Sequence, residues 1–166
     1  MSTVVWFTGA PSAGKSTLAR SLAHELRRRD VPVVLLDGDE VRQALSPKPG
    51  YDDASRGHFY ETLARLAAMI AAQGQTVLVA ATAHRSVYRQ RARELAPRFV
   101  EVFVDTPEGV RRARDDKGLY VAEADGAVTG LPGADLAYEA PTAPDVVARG
   151  GRDEAALSEL LRLLVA

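Results

Sequence analysis

The chain has 166 residues, 46% of them hydrophobic, and 21 basic against 22 acidic side chains leave a formal net charge of -1. Such a chain fits one soluble globular domain, and its balanced charge offers no field for nucleic acid or an anionic membrane surface. The absence of cysteine excludes disulfides and thiol nucleophiles, and no apolar run approaches the ~18 residues of a membrane span, so a cytoplasmic protein is expected.

The first element is a continuous apolar strand, Val4-Val5-Trp6-Phe7-Thr8, which runs into Gly9-Ala10-Pro11-Ser12-Ala13-Gly14-Lys15-Ser16-Thr17. Gly9, Gly14, Lys15 and Ser16 satisfy the pattern GxxxxGK[ST] between a strand and an amphipathic helix, the context that the motif requires. Glycines let the backbone curl around an anion with its N–H groups inward, and a helix N-terminus favours negative charge. The stretch is read as a nucleoside triphosphate site, with Gly9, Ala10, Ser12, Ala13, Gly14, Lys15, Ser16 and Thr17 around the phosphates. Lys15 reaches the terminal phosphates, and Ser16 offers its hydroxyl to Mg2+.

Leu18, Leu22 and Leu26 continue at helical spacing until Arg27-Arg28-Arg29 and Pro32 close the helix. Val33-Val34-Leu35-Leu36 is uniformly apolar, which predicts a strand buried on both faces of a parallel sheet. It ends in Asp37-Gly38-Asp39, where open α/β sheets place ligands, so these carboxylates are read as functional rather than as helix caps alone. A short helix over 41–45 carries Arg42 outward, and Ser46-Pro47-Lys48-Pro49-Gly50 breaks the chain.

A helix is predicted over 54–73 from Phe59, Leu63, Leu66, Ala67 and Ile70, then a strand over 76–80 leading to Thr82, Ala83, His84 and Arg85. The lone His84 is read as structural or exposed rather than catalytic. A basic helix over 85–95 and a strand over 99–104 follow, with Pro107 expected in the first turn of the next helix. Residues 115–143 lose periodicity and are rich in Gly, Pro and acidic residues, which suggests a functional lid with Lys117 and Tyr120 at its start. A strand over 145–148 and a helix over 155–165 complete the chain.

This alternation predicts an α/β fold of the P-loop NTPase type: three layers, with a parallel sheet of about five strands flanked by helices, in a single domain over 1–166. The strand ends would gather Lys15, Asp37, Arg42, Thr82 and the start of the 115–143 loop around one cleft.

The motifs together resemble the adenylylsulfate kinase family. The matches are the phosphate loop, Asp37-Gly38-Asp39 followed by Val41-Arg42, Arg114-Asp115-Asp116-Lys117-Gly118-Leu119-Tyr120, and Tyr138-Glu139-Ala140-Pro141. The resemblance implies an ATP- and Mg2+-dependent kinase that phosphorylates the ribose 3'-hydroxyl of a small-molecule acceptor, adenylyl sulfate. It implies that Asp37 activates that hydroxyl or organises the metal together with Ser16, supported by Asp39. Arg42 and Arg56 would hold the acceptor's anionic groups, Lys117 would neutralise charge on the transferring group, and Arg114 would lie against the ATP adenine. No nucleic acid or membrane partner is implied, and a homodimer is admitted.

Departures fall on the acceptor side. Phe59 replaces the family's Asn, and Tyr51 supplies one aromatic of the acceptor clamp while Leu131 stands at the other. Thr82-Ala83-His84-Arg85 takes the place of Ser-Pro-Tyr/His-Arg. Two alternatives stay open: a related kinase for another nucleotide-like or biosynthetic hydroxyl, and an ATP-binding regulatory protein, against which Lys117 argues.

Overall fold

The computed structural model describes residues 2–114 and 137–165. Strands β1 (Val4–Thr8), β2 (Val33–Asp37), β3 (Thr76–Ala80), β4 (Phe99–Val104) and β5 (Val146–Ala148) form one parallel sheet in the order β2-β3-β1-β4-β5. The helices are α1 (Lys15–Arg28), α2 (Gly38–Ala44), α3 (Asp53–Ala71), α4 (Ser86–Leu95), α5 (Glu108–Ala113) and α6 (Glu154–Val165). Among the described residues, no helix is long and apolar enough to cross a membrane.

The period of a strand explains the three layers, because alternate residues of central β1 serve opposite faces. Val5 and Phe7 pack with Leu18, Leu22 and Leu26 of α1 and Leu160 of α6. Val4 and Trp6 pack with Leu63 and Ala67 of α3 and Ala92 of α4. All five residues of β1 are buried, which fits its continuous apolar run and fixes the position of the loop that follows. Trp6 donates its indole N–H to Ala81 O at 3.2 Å.

The fold class agrees with the sequence reading, but three local expectations do not. β2 is an edge strand whose first four residues are only half-buried, because helices cover its faces while one edge stays open. The helix after it begins at Gly38 rather than 41, since the Asp37 carboxylate accepts from the Asp39 amide at 3.0 Å and starts the helix directly. Starting there puts Gly38 and Arg42, four residues apart, on one inward face, so Arg42 is buried and does not point outward. Pro107 lies at the N-cap of α5, one residue before its first turn.

Candidate active site

The phosphate loop takes its shape from close backbone approaches. Gly14 caps α1 at φ +104°, and a Cβ there would come within 2.5 Å of Gly151 N. A Cβ on Gly9 would meet Val104 O at 2.6 Å. The Thr106 hydroxyl, buried beyond β4, donates to Ala13 O at 2.5 Å and braces the loop from below. α1 has no side-chain cap and no acidic residue in its first turn, so no carboxylate of its own competes for the anion site at its N-terminus. Lys15 Nζ arches over the loop and donates to Gly9 O at 3.0 Å and Ala10 O at 2.9 Å.

One carboxylate ties this loop to the end of β2, across β3. While Asp37 Oδ1 caps α2, Asp37 Oδ2 accepts from Ser16 Oγ at 2.5 Å. The helix cap and the contact with the phosphate loop, one expected of a structural Asp and the other open to function, thus fall to different oxygens of the same group. Asp39 is exposed next to it. Among the described residues, no cluster of three His, Cys, Asp or Glu could hold a metal. The hydroxyl and carboxylate oxygens of Ser16 and Asp37 nevertheless fit Mg2+, which takes few protein oxygens and completes its shell with phosphates and water.

The acceptor candidates form a second group around α2 and α3. Arg42 is 7% exposed, its guanidinium 4.2 Å from the Phe59 ring centroid and 4.5 Å from that of Tyr51. Nη1 donates to Gly50 O at 3.2 Å and Pro49 O at 3.4 Å. Phe59 is buried beneath this stack and Tyr51 is exposed above it, with the Arg56 guanidinium 5.9 Å from the Tyr51 ring.

A third group joins the end of β3 to the residues after 136. Thr8, the last residue before the loop, donates to Thr82 O at 2.5 Å and shares a 2.8 Å hydrogen bond with Tyr138 OH. Burial pushes the Tyr138 hydroxyl up to about 12, so it stays protonated at physiological pH. Arg89, almost wholly buried on α4, donates to Ala83 O and Glu139 O, each at 2.5 Å, and pairs with Glu101 at 3.1 Å. Glu139 in turn donates its amide to His84 O at 2.8 Å and accepts from the Ser86 amide at 2.7 Å. His84 is buried edge-on to Tyr88, and burial, with Arg56 and Arg85 beside it, holds its pKa below the usual imidazole value. That placement agrees with a structural histidine.

Arg114 is exposed at the end of α5, with Nη2 4.0 Å from the place a Gly150 Cβ would occupy. It therefore sits on the side of the phosphate loop that Gly150 and Gly151 cover, away from the stack of Arg42. Lys117, Tyr120 and Leu131 lie outside the described residues. Sequence reasoning missed Arg89 and Thr106. A basic helix hides an inward arginine among solvated ones, although Glu101 in the middle of an apolar strand was a signal that some cation must meet it.

Comparison with known proteins points to one kinase family. A family model for adenylylsulphate kinase matches residues 1–149. The adenylyl-sulfate kinase of Deinococcus deserti is 43% identical over 149 residues, covering 90% of this chain and 82% of that protein. A probable bifunctional SAT/APS kinase 2 of Sorangium cellulosum is 41% identical over 163 residues, 97% of this chain, which spans only 28% of that relative's length. Among solved structures, the Mycobacterium tuberculosis APS kinase in complex with AMPPNP and APS matches with a TM-score of 0.92 at 32% identity, covering 99% of this chain and 98% of that one.

Proposed function

The chain belongs to the adenylylsulphate kinase family, and from that footing we propose that it transfers the γ-phosphoryl group of ATP to the ribose 3'-hydroxyl of adenylyl sulfate. The observation that carries the reading is the 2.5 Å contact between Ser16 and Asp37. It joins the phosphate loop to a carboxylate at the end of β2, two strands away in the sheet, from which the helix carrying the buried Arg42 starts. Donor phosphates, a proton acceptor and an anion receptor are then neighbours.

In this reading the donor phosphates lie in the loop from Gly9 to Thr17 at the N-terminus of α1, and Lys15 turns from the loop carbonyls to their terminal oxygens. Ser16 and Asp37 would hold Mg2+, which when bound neutralises phosphate charge. Asp37, steadied by the Asp39 amide, accepts the proton of the attacking hydroxyl. A bond forms between that oxygen and the γ-phosphorus as the bond to the ADP oxygen breaks. Lys117 would carry developing charge, and Arg114 would lie against the ATP base near Gly150. Arg42 and Arg56 would hold the acceptor's anionic group, with Tyr51, Thr82 and Leu131 lining its remaining surface. Such catalysis rests on positioning and fixed charge rather than on a covalent intermediate.

The protein incubated with ATP, Mg2+ and adenylyl sulfate should form 3'-phosphoadenylyl sulfate. No product above a Lys15→Ala control would reject adenylyl sulfate as the acceptor. Because Phe59 stands where the family has Asn, ATP turnover with another hydroxyl acceptor would then favour the related-kinase reading. A cytoplasmic location and a homodimer belong to the same proposal, and sedimentation at micromolar concentration tests the latter.

A further inference from the structure

We propose that Phe59 is a positioning residue for the acceptor, acting through Arg42 and not by touching the substrate. This rests on the assignment of Arg42 to the acceptor's anionic group.

Phe59 is 3% exposed on α3, and its ring lies 4.2 Å from the guanidinium carbon of Arg42. The Tyr51 ring lies 4.5 Å from the same carbon. A guanidinium held between two rings has water stripped from both faces, so it can be approached by an anion only along its edge. Nη1 is fixed by the carbonyls of Pro49 and Gly50, and among the described residues no carboxylate lies within ion-pair distance of Arg42. The plane is set, one edge is committed, and the remaining N–H donors are held in a fixed direction for an incoming anion. Bidentate recognition depends on that direction, since an anion meets a planar fork well in one orientation only.

The two supports are not equivalent. Tyr51 is 59% exposed and sits in the irregular stretch after Gly50, whereas Phe59 is fixed in a 19-residue helix, in edge contact with Tyr60 at 5.4 Å. The inner ring is therefore the rigid reference against which Arg42 is aimed. An Asn at this position would offer an amide to a ligand but no face to the guanidinium. Phe59 gives the neighbouring cation aromatic support and offers a ligand no polar contact of its own, which places more of the anion recognition on Arg42.

The test compares Phe59→Leu, which keeps an apolar side chain but loses the ring, with Phe59→Tyr, which keeps the ring. In Phe59→Leu the KM for adenylyl sulfate should rise about 3- to 30-fold, the range for loss of a desolvated cation–π contact. kcat and the KM for ATP should change less than twofold, and Phe59→Tyr should restore the acceptor KM. In an Arg42→Lys background the leucine substitution should add little, because the planar fork it aims is gone. A KM effect that persists undiminished in that background would overturn the proposal.

A second readout does not depend on the acceptor's identity. The Arg42 Nε–H proton, shielded by the rings, should move downfield in Phe59→Leu, and inorganic sulfate titrated against that signal should bind more weakly than to the parent protein. An unmoved signal, equal sulfate affinity in the two proteins, or no response to sulfate in the parent protein would each refute the role of Phe59. Failure of the parent protein to turn over adenylyl sulfate, with the sulfate result as expected, would instead refute only the assigned reaction.

Discussion

Arg89→Met tests whether the residues after 136 are anchored as the structure shows. Methionine keeps much of the side-chain packing but removes a guanidinium that makes three hydrogen bonds, Nε to Glu101 at 3.1 Å, Nη1 to Ala83 O at 2.5 Å and Nη2 to Glu139 O at 2.5 Å, and lies 5.8 Å from the Tyr138 ring. Among the described residues, Glu101, whose side chain is 12% exposed, would keep only Arg93 at 4.0 Å as an ion-pair partner. Hydrogen bonds to a charged group contribute ~1.5–3 kcal/mol each, and breaking a buried pair from one side costs about 3–5 kcal/mol. With a urea m-value of ~2 kcal/mol/M, the unfolding midpoint should fall by about 1.5–2.5 M. Hydrogen exchange at the Ser86 and Glu139 amides should quicken more than at the amides of β1, because both bonds join the two segments that Arg89 ties together. The double variant Arg89→Met/Glu101→Leu should recover at least ~1 kcal/mol, since much of the loss comes from an uncompensated buried carboxylate. A midpoint shift below roughly 0.5 M would refute the anchoring argument, as would a double variant no more stable than the single one.

Lys15→Ala should lower ATP-dependent turnover about 100-fold or more while circular dichroism stays unchanged, because it removes a cation directed at the phosphates; turnover at the parent rate would remove Lys15 from the site. Arg42→Ala should raise the acceptor KM at least ~30-fold, as expected when a fixed charge partner is truncated, and leave the KM for ATP nearly constant. Glu61 supplies a pH test: hydrogen bonds from Arg91 and then Arg65 lower its pKa from 4.5 to about 2. A depressed carboxylate pKa adds stability above the unfolded value that is lost as pH falls through the folded one. The stability difference between the parent and Glu61→Gln, measured by urea unfolding, should therefore be level above pH 5 and shrink between about 4.5 and 2. The pair is about one-third exposed, so the difference should be small, and a difference equal at pH 7 and pH 2.5 would contradict the assignment.

How far the sequence could be read depended on whether a residue's role was set locally. The strand, the glycine spacing and the first helix of the phosphate loop are contiguous, so β1 and α1 could be placed from Val4 to Leu26 without tertiary information. Asp37 could be placed at a strand end by the same means. Its division of labour could not, because Ser16 lies 21 residues away and meets it only once two parallel strands flank a third. The same limit explains Arg42. Helical phase depends on where a helix begins, and a start at Gly38 instead of 41 turns the arginine from solvent into the gap between Phe59 and Tyr51.

Arg89 marks the other side of that limit, since nothing within α4 distinguishes it from Arg91 and Arg93. What distinguishes it is Glu101 on β4 and two carbonyls from separate segments. A cation so enclosed is costly to desolvate and is tolerated because each of its donor groups is met. Arg42 shows the complementary condition: two aromatic rings lie 4.2 and 4.5 Å from its guanidinium carbon, one edge is committed to two carbonyls, and no carboxylate among the described residues balances its charge. Burial without a counter-charge favours an anionic ligand, and burial with one favours a structural brace. By that criterion Arg42 is the one proposed for the chemistry and Arg89 the one for the scaffold, although both stand on helices that follow a strand of the same sheet.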